Sequence, residues 1–312
     1  MELAARQFLR AVRGERSQVA FARRLKYRGN PVADWEAGRR CPTALEALRA
    51  CRSAGIDVGE AFLRFQRVAL QSDADGFELA AWLSQVRGST STVELARRCG
   101  GTRHQVARWL NGQTQPRLTD FFGLVQAITG RLCDLVAELV PIERVPSLHS
   151  DYQQRLAARR LAHEEPWTEA ILRVLETRAY RARAQHDPDS MARSLGIASE
   201  VVQRCLHKLE AAGVIVQRGT RYEPARSLTV DTRAIPRLKA HWCEVARERL
   251  AEPAPEDLFC YNVLSASRAD VERIRQLLLA TYREIRTIVE HTERDEEVAL
   301  VNLQLVQWGR PK

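Results

Sequence analysis

Apolar residues in the first 140 positions recur every three or four places, the period of a helix with one buried face. Val19, Phe21 and Ala22 mark one such face and Val32 with Trp35 another, separated by Lys26–Gly29, which lacks the period. Gly38 and Pro42 then close the second helix, because glycine accepts the left-handed conformation after a helix and proline prevents its resumption. A further helix is expected over Thr43–Ser53, through Leu45 and Leu48. The same order then returns. Val93, Leu95 and Ala96 precede Gly100–Gly101, and Val106, Trp109 and Leu110 lead to Gly112 and Pro116. A helix over Asp120–Thr129 follows, with Phe121, Leu124, Val125 and Ile128 on its face. The small Ala22 and Ala96 allow the close crossing that a helix–turn–helix needs.

These two stretches are copies. Val19–Pro42 aligns without a gap on Val93–Pro116 at an offset of 74 residues, with nine of 24 positions identical. The identities include the two tryptophans, the two glycines and the two closing prolines, which are the residues that shape the unit.

The second half changes character. Residues 141–165 read as a linker, beginning with Pro141–Ser147, and a long helix is expected from Pro166 to Gln185. Ser190–Pro224 gives helix, turn at Gly196, helix, then two short strands around Gly219, the outline of a winged helix. Its expected core is Ala192, Leu195, Ile197, Val201, Leu206 and Leu209. Two readings stand for this module: DNA contact through Arg204, His207, Lys208, Arg218 and Arg221, or service as a spacer. Leu258–Ser265 and Val298–Trp308 read as apolar strands around a helix over Ala269–His291, a strand–helix–strand unit suited to sensing or dimerisation.

Charge sharpens the picture. Of the net +9, residues 1–140 hold +7 (21 basic against 14 acidic) and residues 141–312 hold +2 (27 against 25). A basic excess that sits mainly in the half with the repeat suits a polyanionic partner. Seven scattered cysteines without a CxxC pair read as reduced, buried thiols. No apolar run is long enough for a membrane span, and the arginine-bearing N-terminus lacks a signal peptide's apolar core, so a cytoplasmic protein is expected. No phosphate loop, HExxH, GxSxG or Cys/His cluster is present, and neither an enzyme, a metal nor a cofactor is expected. His241 and Cys243, two residues apart, do not form a nucleophile pair by helical spacing.

The first copy resembles the lambda-repressor-like (XRE-type) helix-turn-helix family through Gln18, Ala22, Trp35, Glu36, Gly38 and Pro42. The second copy departs from the pattern at Thr92 and Leu110, which stand in place of the Gln and the Glu. The resemblance implies that the second helix of each unit enters the major groove of double-stranded DNA. The residues it assigns to DNA are Gln18, Arg28, Asn30, Arg39 and Arg40 in the first copy, and Thr92, Thr102, Arg103, His104, Gln105, Arg108 and Gln113 in the second. Arginine suits guanine O6 and N7, and glutamine adenine N6 and N7, so the second copy offers the stronger reading surface. In the first, Asn30-Pro31 delays the helix by two residues and places Asp34 outward, where phosphate repels it or a protein partner meets it. Arg28, Arg39 and Arg40 then hold the backbone.

Residues 166–308 resemble the C-terminal region of a family of bacterial helix-turn-helix regulators whose domain has no assigned function. The likeness runs through PWTEAILRVLE, LGIASEVVQRCLHKLEAAGVI, HWCEVARERL, FCYNVLSAS and VALVNLQL. The expected division is a helix-turn-helix domain at 1–70, another at 71–140, a linker, a helix with winged helix at 166–235, and an α+β domain at 236–312. A mainly α first half and an α+β second half describe the fold class. The expected function is a sequence-specific transcriptional regulator, homodimeric through its C-terminal half, with an unknown effector. The alternative is a protein-interaction adaptor or antitoxin that holds a partner with the same helices.

Overall fold

Several helices in the first part of the chain start where a short polar side chain can accept the free N–H groups of a first turn. In the computed structural model, Ser17 caps α2 (Gln18–Arg24), Asn30 caps α3 (Pro31–Ala37) and Thr43 caps α4 (Ala44–Ala54) in a reciprocal box with Glu46. Before them lies α1 (Glu2–Arg13), and after them α5 (Val58–Gln66). The next five helices are α6 (Gly76–Arg87), α7 (Thr92–Cys99), α8 (Arg103–Leu110), α9 (Leu118–Thr129) and α10 (Leu132–Leu139). They follow the first five at the same offset of 74 residues. Thus α1 packs on α3 and α4 as α6 packs on α8 and α9, and α2 meets α3 as α7 meets α8.

The structure describes residues 1–66, 76–88, 90–225, 236–290, 292 and 295–308. The expected boundary at 70–71, the end of the 166–235 domain and His291 lie outside them. The described chain is mainly helical, with one two-stranded sheet, and divides into two compact units, residues 1–153 and 154–312.

In the first unit the buried side chains of α1–α10 form one continuous cluster. Its centre is aromatic and drawn from both sets of helices. Phe62 packs at a tilt against Trp82 with centroids 4.7 Å apart, and Phe8 meets Phe122 edge-on at 5.5 Å. Val32, Trp35, Val106, Trp109 and Leu110 point inward as the periodicity requires. Val19 and Val93 do not. Each lies in the first turn of its helix, pointing away from the crossing, and is about half exposed, whereas Phe21, Ala22, Leu95 and Ala96 carry the burial. The expected linker is instead a 3-10 turn (Ile142–Arg144) followed by α11 (Pro146–Glu164), with Pro146 at the first helical position, where its missing N–H costs nothing.

The second unit builds its core from α12 (Trp167–Glu176), α13 (Arg178–Arg181), α14 (Pro188–Leu195), α15 (Ser199–Ala211) and the hairpin β1 (Ile215–Arg218) and β2 (Arg221–Pro224). The single helix expected to Gln185 breaks at Thr177. This residue is extended, and its hydroxyl bonds the Val174 carbonyl and accepts the N–H of Tyr180. The hairpin is antiparallel, with Ile215 opposite Pro224 and Arg218 opposite Arg221. Of the expected core, Ala192, Leu206 and Leu209 are buried and Leu195, Ile197 and Val201 half-buried. Val202 and Cys205 complete it.

Two long helices follow, α16 (Pro236–Ala251) and α17 (Arg268–Glu290). The expected strands over Leu258–Ser265 and Val298–Trp308 pair with nothing among the described residues, so the strand–helix–strand unit does not form. Without a neighbouring strand to satisfy the backbone no ladder exists, and Leu258, Tyr261 and Trp308 are left largely in solvent. The cysteines also differ from expectation. All seven are free, but only Cys51, Cys133 and Cys205 are buried, while Cys260 is exposed. Burial raises the Cys51 thiol to about 12 and the Cys205 thiol to about 11, so both stay protonated and inert.

Candidate nucleic-acid interface

The N-terminus of α8 is set by Thr102, whose hydroxyl oxygen accepts the Gln105 N–H at 3.2 Å. From there Arg103, His104, Gln105 and Arg108 are exposed, while Val106 and Trp109 anchor the opposite face in the core. Within the described residues the side chains of Arg103, His104 and Arg108 have no ion-pair or hydrogen-bond partner. Gln113 is exposed just past the helix, its N–H bonded to the Arg108 carbonyl at 2.9 Å. Six of the seven residues expected of this copy therefore lie on or beside one solvent face. The seventh, Thr92, is half-buried and accepts a hydrogen bond from Arg87 at 3.2 Å.

The first copy treats charge differently. Asn30 uses its side-chain oxygen to cap α3, accepting the Ala33 N–H at 3.3 Å. Asp34 occupies the position that Arg108 holds in the second copy. Arg39 reaches back to it, with Nη2 2.6 Å and Nε 2.8 Å from Oδ1. Arg40 lies 3.5 Å from Glu46. Two of the cations assigned to the DNA backbone are thus already paired within the protein, and only Arg28 is exposed without an ion partner among the described residues.

Gln18 also turns inward. Its Nε2 donates to Glu36 Oε2 at 2.8 Å, and Arg13 Nε donates to Glu36 Oε1 at 2.6 Å. Arg6 and Arg10 donate to the Glu36 carbonyl at 3.0 and 3.1 Å. Glu36 is only 2% exposed, and guanidinium and amide donors surround its carboxylate. The same contacts push the Arg13 guanidinium above its ordinary value, chiefly through the hydrogen bond to Glu36. In the second copy Leu110 replaces this glutamate and is buried among apolar neighbours. The second copy thus exchanges the first copy's polar clamp for an apolar one.

Pairing also commits the basic residues of the second unit. Glu165 accepts from Lys208 at 2.7 Å and from Arg204 at 3.1 Å, and these bonds, led by Lys208, hold its carboxyl below the usual range. At the hairpin, Arg218 lies 3.4 Å from Glu223 and Arg221 donates to the Arg181 carbonyl. His207 is exposed. Among the described residues no group of three or more His, Cys, Asp or Glu could hold a metal ion. His241 packs edge-on against Trp167, and Cys243 accepts from Gln304 at 3.0 Å. No helix of the described residues is long and apolar enough to cross a membrane.

Two features escaped the sequence reading. The Asp34–Arg39 pair spans five residues across the end of a helix, where no periodic rule predicts it. The Glu36 cluster gathers α1, α2 and α3, and only the coincidence of arginines at 6, 10 and 13 with a glutamate in a core helix hinted at it.

No curated protein and no solved structure matches the chain. Residues 150–307, just over half of its length, match the family described as Domain of unknown function (DUF4423). The chain belongs to that family.

Proposed function

We propose that this chain is a sequence-specific DNA-binding transcriptional regulator of the lambda-repressor-like (XRE-type) kind. In this reading α2–α3 and α7–α8 are tandem helix-turn-helix units, and α8 is the principal reader of the major groove. The observation that carries it is the solvent face of α8, where Arg103, His104 and Arg108 stand exposed and unpaired within the described residues. Bidentate guanidinium contact with guanine needs an arginine free of internal partners on a helix fixed by its opposite face. Trp109 and Val106 supply the anchor.

The α14–α15 pair with its hairpin takes the role of a winged helix serving as a spacer, since Arg204, Lys208 and Arg218 are engaged by Glu165 and Glu223. The second unit also holds two chains together. Residues 258–267 and 298–308 carry no charge, expose apolar side chains and have no strand partner among the described residues, so a second copy can pair with them across a two-fold axis without repulsion. Sedimentation of the full chain as a dimer is the expected result, and a monomer at all concentrations removes this role.

Selection of duplexes from a random pool, followed by fluorescence anisotropy across a salt series, tests the main reading. A preferred sequence should emerge, and its affinity should fall steeply as salt rises, by a slope of about 0.9 per phosphate contacted. Binding without sequence preference would overturn it.

A further inference from the structure

The two copies meet one another at equivalent residues. Thr43 and Arg117, 74 positions apart, form an antiparallel bridge. The Ala44 N–H donates to the Pro116 carbonyl at 2.9 Å, and the Leu118 N–H donates to the Pro42 carbonyl, also at 2.9 Å. Adding 74 to the first donor and subtracting 74 from its acceptor produces the second bond. A reciprocal pair of this kind arises only if one rotation carries the first copy onto the second and the second back onto the first, which is a two-fold axis. Copies related by simple translation would leave the first bond without its mate.

The helices agree. α5 packs on α10 and α4 on α9, each against its own counterpart. Between the first pair, Arg64 Nε lies 2.7 Å from Glu138 Oε2, and these two residues are again 74 apart. In a dimer of one copy with itself, Arg64 would face another Arg64. Duplication within one chain lets the two sides of the axis carry opposite charges. The pair is exposed and contributes little energy, but it distinguishes the first copy's proper partner from another first copy.

We infer that residues 1–140 are a covalent pseudo-dimer: a single chain places α3 and α8 on the two halves of one imperfect inverted repeat. The inference rests on the DNA-binding reading above and adds the number, orientation and source of the half-sites. A two-fold-related pair of reading helices fits a duplex only when the half-sites run in opposite directions, with centres about one helical turn apart. The halves differ in sequence because the residues at equivalent places differ, with half-buried Asn30 and Asp34 in one copy against exposed His104 and Arg108 in the other.

The test uses the full chain and changes the DNA, so folding is not perturbed. From the preferred duplex, three others are made: one with a half-site reversed to give a direct repeat, one with a half-site scrambled, and one lengthened by five base pairs at the centre. Each should bind more weakly by more than about tenfold. Native mass spectrometry of the saturated complex should count two half-sites for every chain bound. Full affinity for the direct repeat, or one half-site per chain, would overturn the inference while leaving DNA reading intact. A pool that yields no preferred sequence would remove the reading itself and this inference with it.

Discussion

The helix pairs α2–α3 and α7–α8 share a backbone plan and use charge in opposite ways. In the first, a carboxylate sits inside the unit at Glu36 and another at its outer face at Asp34, and each is neutralised by arginine. In the second, both positions have changed: Leu110 fills the interior and Arg108 the outer face. On the outer face the exchange of Asp34 for Arg108 turns a surface closed by its own ion pair into one that presents a free guanidinium group. A duplicated unit inside one chain allows this division. In the proposed function one copy holds its position on the duplex while the other is the principal reader, and the core they share fixes one relative to the other.

The largest expected effect concerns the interior. Glu36→Ala leaves Arg13 and Gln18 facing an emptied, largely buried place, and should lower the unfolding free energy by about 3 kcal/mol in denaturant titration. Glu36→Leu, which borrows the second copy's solution, should lose clearly less. No loss in Glu36→Ala would show that the arginine cluster does not matter to the fold, and equal losses that filling the space cannot replace it.

Next comes the outer face of α8. Arg108→Ala should reduce affinity for the preferred duplex by about 1–3 kcal/mol and relax base choice at one position. Anisotropy against single-base variants of the duplex reads both effects. An unchanged preference would remove Arg108 from the reading surface.

A smaller change is expected at the corresponding place in the first copy. Asp34→Asn releases Arg39 from its ion pair and removes a charge that phosphate repels. Binding to all duplexes should strengthen, and the salt slope should steepen by about one. A slope that stays the same would mean that Arg39 does not reach the backbone.

The smallest effect separates the copies by pH. Glu94 accepts from Arg97 and Arg98, and these bonds hold its carboxyl at about 2. Its folded value lies below the unfolded one, so the stability it contributes is present above the ordinary carboxylate range, near 4.5, and is lost as pH falls toward 2. Glu94→Gln should flatten that part of the acid unfolding profile. The first copy has Ala20 at this position and contributes nothing comparable. Coincident acid profiles for the two chains would exclude Glu94 as a source of the pH dependence.

Much of the first unit was legible because its signals are local. Gly38 and Gly112 take positive φ where a helix must end, and Trp35 and Trp109 fall at helical spacing from Val32 and Val106. The two-residue delay before α3 followed from Asn30 and Pro31. The repeat extends further than its identities. α1 and α6 correspond residue for residue, yet share only Leu9/Leu83, Val12/Val86 and Arg13/Arg87, too few to stand out unaided. Val19 and Val93 misled because an apolar side chain in a helix's first turn follows the period without facing the core. On the site, exposure was readable and pairing was not. Arg39 and Arg108 look alike in sequence, and only folding shows one engaged and the other free. In the second unit, alternation at Val298–Trp308 reads as a strand with a buried face, but most of its apolar side chains stay exposed, because a strand also needs a neighbour, which no one-chain pattern guarantees.

Guanine N7 lies in the major groove, where an arginine of α8 would cover it. Dimethyl sulfate protection of the preferred duplex by the full chain, compared with Arg108→Ala, therefore tests the division of labour most directly. Protected guanines in one half-site, exposed again in Arg108→Ala while the other half-site is unaffected, are the expected result. Protection that Arg108→Ala leaves intact, or guanine N7 positions that stay open in both halves, would contradict the assignment of α8 as the reader.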